Sequence, residues 1–356
     1  MIVFGAPRRY IQGPDALDAL GREIAPLGKQ VAFLADDIVM GLCFNRARAG
    51  LEAAGCSVMP VLFPGEITYD IVKTLTGALS ETPIDVIIGA GGGKTLDAGK
   101  LVARDLGCAF VSLPTVASND SPTSHVSAVY DADHRLSAIE RCPFNPDLVV
   151  VDTKVILGAP KVLLSAGVGD AIVKLFEVEQ CMASGGLNVF GAKAPLSALA
   201  LARTCYQTLR SFLVPAYAAY DAGEATPEFE ALVEATVLMS GLAFESGGLS
   251  VSHGMTRGLS AVPGIADALH GHQVAYGLLV QLELEDRPPE FMADMRDFYR
   301  LAGLPLKLAD MGGDTRNNSL IKTISDISAE ASHMKKFHRN VCAKDIADAI
   351  HRIEAA

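Results

Sequence analysis

Five short apolar runs recur through the first 152 residues: 30–36 (QVAFLAD), 56–63 (CSVMPVLF), 85–90 (DVIIGA), 108–115 (CAFVSLPT) and 148–152 (LVVVD). None of them alternates with polar residues. A strand with one wet face shows a period of two, so unalternated, β-branched runs of this length suit strands covered on both sides. Helical periodicity fills the gaps, and the combination predicts a parallel sheet wrapped by helices. Residues 124–140 (SHVSAVYDADHRLSAIE) break the pattern with two alternating arms about a D-A-D-H turn, which reads as a hairpin appended to that sheet.

After Asp152 the strand signals stop and long helical patterns follow, at 161–183, 195–213, 228–245, 249–260, 270–285 and several places beyond 290. Pro195 suits a first helical turn, and Gly247-Gly248 separate two helices. Residues 313–322 read as a polar loop, and no internal repeat or low-complexity tract appears. A chain of 356 residues, half of them apolar, exceeds what one core usually holds. The expected organisation is an α/β domain over 1–155 and an all-helical domain over 156–356, with a small substrate meeting a cofactor in the cleft between them.

The formal charge of −11 argues against nucleic acid or an anionic membrane as partner, which leaves a small molecule. Seven Cys without a C-x-x-C pair, mostly inside apolar runs, read as reduced core residues of a cytoplasmic protein. The N-terminal MIVFGAPRRYIQGP lacks a signal-peptide layout, and charges, Gly or Pro interrupt every apolar run before membrane-spanning length.

Between the third run and the next helix stands GAGGGKTLDAGK, residues 89–100. It is not a P-loop, because Ile88 occupies the position where the leading Gly belongs. It also departs from G-x-G-x-x-G, because Gly89 and Gly91 are followed by Lys94 in place of the third Gly. What remains is a glycine turn that exposes backbone N–H groups at a helix N-terminus, a general anion or diphosphate cradle. Residues 112–124 (SLPTVASNDSPTS) follow the next strand. Its Thr115, Ser118, Asp120, Thr123 and Ser124 suit a ribose, a diphosphate or a polyol, although Ser-Asn-Asp-Ser-Pro is also ordinary turn chemistry.

In the helical half, Asp170, His253 and His270 lie inside apolar, Gly-rich helices. A buried carboxylate needs a partner, and Lys174, one turn on, offers a salt bridge. The histidines have an equally ordinary reading as core residues with one hydrogen bond each. Together the three make a two-His, one-carboxylate set with an open position, the form taken by catalytic Zn²⁺, but spacing alone does not decide between these readings.

The order GAGGGKTLDAGK, SLPTVASNDSPTSHVSAVY, NPDLVVVD, GVGDAI, FESGGLSVSHGM and HGHQVAYG resembles the glycerol dehydrogenases of the iron-containing (metal-dependent) alcohol dehydrogenase superfamily. The match runs from RRYIQGPDAL near the start to LAGLPLKLADMG at 301–312. The resemblance implies a Rossmann-like NAD-binding domain joined to an all-α metal-binding domain, the dehydroquinate synthase-like, iron-type alcohol dehydrogenase architecture. It implies that Gly92, Gly93, Lys94, Thr95 and Asp97 surround the NAD pyrophosphate. Asp36 is implied to meet the adenosine ribose and to disfavour NADP. Thr115, Ser118, Ser124, Val126 and Tyr130 match cofactor contacts, and Asp120 matches the aspartate that touches substrate.

Asp170, His253 and His270 fall on the family's three metal ligands, which hold zinc in glycerol dehydrogenases. Iron-using members carry a further His four residues after the Asp, where this chain has Lys174, so zinc is implied. The implied reaction is oxidation of glycerol to dihydroxyacetone by hydride transfer from a metal-bound alkoxide to the nicotinamide. Alternatives on the same scaffold are another small diol, a 2-hydroxy or 2-oxo acid or glycerol phosphate, and outside catalysis a protein that only binds NAD or metal. The resemblance also implies a homo-oligomer, commonly an octamer. Departures from the family pattern gather at Asn119, Ser121, His125 and Thr256. His272 stands where Glu is usual and offers a rival to His270 as ligand.

Overall fold

The computed structural model describes residues 1–131, 136–314 and 319–356. Two compact units emerge, one formed by Gly5–Ala159 with Ala219–Val233, the other by Met1–Phe4, Pro160–Ala218 and Glu234–Ala356.

The first unit is α/β. Its strands are β1 (Tyr10–Gly13), β2 (Gln30–Ala35), β3 (Ser57–Leu62), β4 (Val86–Gly91), β5 (Ala109–Pro114), β6 (Val126–Tyr130), β7 (Leu136–Arg141) and β8 (Leu148–Asp152). Helices α1 (Leu20–Ile24), α2 (Asp37–Ala53), α3 (Tyr69–Leu79), α4 (Gly93–Leu106) and α5 (Thr153–Leu157) connect them. Six strands form one sheet in the order β1-β8-β5-β4-β2-β3, and every pairing in it is parallel. β4 and β8 are buried at every residue, as their unalternated sequences require. Val31, Phe33, Val86 and Ile88 pack on one face with Cys43, Ala47 and Leu51 of α2. Ala32, Leu34 and Ile87 face the opposite side, with Val72 and Leu75 of α3 and Leu101 of α4.

The chain passes from β2 outward to β3 and then returns to place β4 on the other side of β2. That reversal is a topological switch point, where the carboxyl ends of open α/β sheets receive ligands. Asp36 follows β2 at this edge and the glycine turn follows β4.

β6 and β7 pair antiparallel as a separate two-stranded sheet rather than joining the six-stranded one. α4 explains the separation. Asp97 Oδ2 accepts from the Ala128 N–H, Lys100 Nζ donates to the Val126 carbonyl, and Ser127 Oγ donates to the Asp97 carbonyl. The hairpin is thus bonded to a helix. Its turn falls largely on 132–135, outside the described residues, as does the 315–318 part of the polar loop expected at 313–322.

The second unit contains α6 (Lys161–Ile172), α7 (Lys174–Ala183), α8 (Leu196–Ala222), a π turn (Ala235–Met239) after α9 (Pro227–Glu234), α10 (Ser240–Gly247), α11 (Val251–Leu259) and α12 (His270–Leu284). α13 (Pro289–Ala302), α14 (Leu320–Ala329) and α15 (Ala343–Ala355) complete it; most of α9 and the end of α8 are counted with the first unit. Glycine sets the closeness of three of these helices. A Cβ on Gly271 of α12 would stand 1.8 Å from the Ala166 carbonyl oxygen of α6, and one on Gly277 would stand 2.3 Å from the Ser252 carbonyl oxygen of α11. Only a hydrogen side chain fits at such backbone-to-backbone crossings. Among the described residues no helix is long and apolar enough to cross a membrane.

Candidate active site

Asp170 lies in the last turn of α6, His253 in the first turn of α11 and His270 at the start of α12, so the glycine-mediated crossings gather all three. One donor atom from each falls within 4.8 Å of the others. Asp170 Oδ1 and His253 Nε2 are 3.4 Å apart. Two donors bound tetrahedrally to one Zn²⁺ at about 2.0–2.2 Å lie about 3.3–3.5 Å apart, so this pair has the separation that a shared ion demands. The set of one carboxylate and two imidazoles fits a borderline divalent cation and leaves room for an exogenous ligand.

His272 points elsewhere. Its Nε2 stands 3.2 Å from Ser165 Oγ, which donates to the Gly303 carbonyl. The salt bridge expected from spacing is present as well, because Lys174 Nζ donates to Asp170 Oδ1 at 2.7 Å and both side chains are buried. Burial would raise the Asp170 carboxyl, but the Lys174 ammonium and the His253 hydrogen bond outweigh it and hold the group below the usual carboxylate range.

A fourth residue organises the cluster, and the sequence reading passed it over. Glu177 of α7 is fully buried. Its Oε1 accepts the backbone N–H groups of Ser250 and His253 at 2.9 and 3.0 Å, capping an α11 N-terminus that has no side-chain cap of its own. Its Oε2 lies 2.7 Å from His253 Nδ1. A carboxylate accepts only, so Nδ1 carries a proton; Nε2, which faces Asp170 Oδ1 and donates to it while no cation is bound, is the nitrogen that a cation would take in exchange for its proton. Desolvation would lower the His253 imidazole, yet the Glu177 charge and the two carboxylate hydrogen bonds lift it to about 9. The available signal was the one applied to Asp170: a carboxylate within an apolar helical run, seven residues further on the same face. Thr256 donates to the His253 carbonyl and so bonds along its own helix.

In the α/β unit, Gly91 and Pro114 are register partners, and the Thr115 N–H donates to the Gly91 carbonyl, which sets the glycine turn beside the 115–124 loop. Gly92 caps α4 without a side-chain bond, no acidic residue occupies the first turn, and backbone N–H groups remain to receive an anion. A Cβ on Gly93 would stand 2.8 Å from Asn119 Nδ2, so glycine there admits the neighbouring loop. Thr95 is buried. Lys94 Nζ donates to Glu66 at 2.7 Å and lies 5.3 Å from the centre of the half-buried Tyr130 ring. Both Asp97 oxygens are engaged, Oδ1 by Lys100 and Ser121 and Oδ2 by Ala128, so this carboxylate locks the loop and the hairpin to α4.

Asp36 Oδ1 accepts from the Val39 N–H as the N-cap of α2, at the carboxyl end of β2. Ser118 and Val126 are half-buried. Ser118 Oγ accepts from Asn119, whose Oδ1 accepts the Ser121 N–H. Asp120, Thr123, Ser124 and His125 are buried, His125 at 5 % exposure, so this imidazole is not an open surface group.

Residues 7–153 match the family described as iron-containing alcohol dehydrogenase. The glycerol dehydrogenase of Escherichia coli O6:H1 is 37 % identical over 87 % of this chain and 84 % of its own length. The glycolaldehyde reductase of Halobacterium salinarum is 36 % identical over 87 % and 85 %. A solved structure of a probable glycerol dehydrogenase from Sinorhizobium meliloti 1021 superposes with a TM-score of 0.93, at 33 % identity, covering 100 % of this chain and 99 % of that one. This chain belongs to the iron-containing alcohol dehydrogenase family. It is an oxidoreductase with that family's fold, a parallel sheet flanked by helices and a helical C-terminal part.

Proposed function

We propose that the protein oxidises glycerol to dihydroxyacetone, with NAD as hydride acceptor and a zinc ion held by Asp170, His253 and His270. The observation that carries this reading is the convergence of those three donors, with Glu177 fixing the His253 tautomer for ligation. The cation supplies Lewis-acid polarisation of a coordinated hydroxyl, and the nicotinamide supplies the hydride chemistry. The chain's own residues bind and orient. Gly92, Gly93, Lys94 and Thr95 are assigned to the pyrophosphate, with Asp97 bracing the turn through Lys100 and Ser121. Asp36 is assigned to the adenosine ribose, where its charge repels a 2′-phosphate. Thr115, Ser118, Ser124, Val126 and Tyr130 are assigned to the rest of the dinucleotide and Asp120 to a terminal hydroxyl of the polyol. We place the enzyme in the cytoplasm as a homo-oligomer.

The similarity to a glycolaldehyde reductase favours a second reading, reduction of a small hydroxyaldehyde to the corresponding diol. A phosphate ester is disfavoured, because Lys174, the ammonium beside the three donors, is buried and bonded to Asp170. The test follows NADH absorbance with glycerol, 1,2-propanediol and glycerol phosphate, and NADH consumption with glycolaldehyde and a 2-oxo acid. Glycerol as the best alcohol supports the proposal. Turnover confined to glycolaldehyde replaces it with the second reading, and preference for glycerol phosphate refutes both.

A further inference from the structure

Lys174 is a buried charge that the proposed reaction does not use. Its side chain is fully buried, its Nζ donates to Asp170 Oδ1 at 2.7 Å, and the Phe244 ring lies 5.8 Å away. The same Oδ1 stands 3.4 Å from His253 Nε2, so the oxygen facing the other ligand is the one that holds the ammonium. Any divalent ion bound by this oxygen has a fixed positive charge as its near neighbour.

We propose that Lys174 is a built-in countercharge that weakens the hold of this centre on its divalent cation and keeps the metal-free centre folded. The proposal rests on the metal reading of Asp170, His253 and His270. The charge count supports it. Asp170 and Glu177 contribute two buried negative charges and Lys174 one positive, so with both ring nitrogens free for ligation these groups sum to −1 before a divalent ion binds and to +1 after. Without the ammonium the same ligation-ready groups would sum to −2, a costly state for buried groups, and to zero with the ion. Two effects therefore oppose each other at the ligands: Glu177 strengthens His253 as a donor through Nδ1, while Lys174 draws electron density from Asp170 and weakens it. A weaker carboxylate donor leaves the cation a stronger Lewis acid, so Lys174 exchanges metal affinity for polarising power.

The experiment compares wild type, Lys174→Met and Lys174→Arg, each loaded with Zn²⁺, by transfer of the ion to a competing chelator. Thermal unfolding is followed with and without the ion. Lys174→Met is expected to hold Zn²⁺ at least tenfold more tightly than wild type and to show a larger gap in Tm between loaded and stripped forms. Lys174→Arg, which keeps the charge, is expected to stay near wild type in both. Tightening is diagnostic because damage to the fold weakens ligation. Transfer is measured below the Tm of each stripped variant, so that unfolding does not enter the affinity. Equal or weaker binding by Lys174→Met overturns the proposal and leaves Lys174 as an orienting group for Asp170. A wild type that takes up no divalent ion removes the metal reading itself, an outcome distinct from equal affinities.

Discussion

Glu177→Gln is nearly isosteric and tests the arrangement around His253. The carboxylate meets three donors: the Ser250 and His253 backbone N–H groups on Oε1 and the His253 Nδ1–H on Oε2. A carboxamide has one oxygen. With that oxygen toward the helix N-terminus, the amide NH₂ faces Nδ1 and accepts only a ring whose proton has moved to Nε2, the nitrogen required for ligation. With the oxygen toward Nδ1, the NH₂ confronts two backbone donors and leaves them unsatisfied in the interior. The first arrangement removes a metal ligand and the second uncaps α11. Loss of an outer partner of a ligating histidine costs about 10–100-fold in metal affinity. Leaving a buried donor without an acceptor costs about 1–3 kcal/mol. The expected result is Zn²⁺ affinity reduced by that factor in chelator competition, with lowered stability in urea unfolding of the stripped protein. Affinity within twofold of wild type would refute the tautomer argument.

His270→Ala is expected to lower Zn²⁺ binding by more than a hundredfold, whereas His272→Ala, which loses only its Ser165 contact, keeps the full metal content; elemental analysis of both proteins decides which imidazole is the ligand. Asp36→Gly is expected to narrow the preference for NAD over NADP by at least tenfold in kcat/KM, and an unchanged ratio would remove the ribose assignment. Gly271→Ala forces a methyl toward a carbonyl oxygen 1.8 Å away, and is expected to cost about 3 kcal/mol or more in denaturant unfolding and to spread the metal ligands. A stable, fully metallated Gly271→Ala protein would show that the α6–α12 crossing relaxes readily.

The central strands were legible because a strand covered on both faces has nothing polar to show, and the runs at 30–36, 85–90, 108–115 and 148–152 carry that signature. β1 was not legible: Tyr-Ile-Gln-Gly is four half-buried residues on a sheet edge, too short for periodicity to register. The hairpin arms showed in their alternation, but their seat did not, because it depends on Asp97 and Lys100 pointing out of α4 toward a segment some thirty residues later. At the three-donor centre Asp170 bonds Lys174 and faces His253 with the same oxygen. Spacing revealed the salt bridge because its partners share a helical face. The convergence with His253 and His270 comes from interhelical crossings at Gly271 and Gly277, which no local pattern encodes. Glu177 went unnoticed for a related reason, because its partners belong to a helix that begins more than seventy residues downstream.

The most direct test of the account is glycerol-dependent NADH formation by wild type and Asp170→Asn, each stripped with a chelator and then titrated with Zn²⁺, with NAD binding measured in parallel. The account predicts that wild type loses activity on stripping and regains it at one equivalent of Zn²⁺ per chain, while Asp170→Asn stays inactive yet binds NAD as wild type does. Full turnover by the stripped wild type, or by Asp170→Asn, would contradict it.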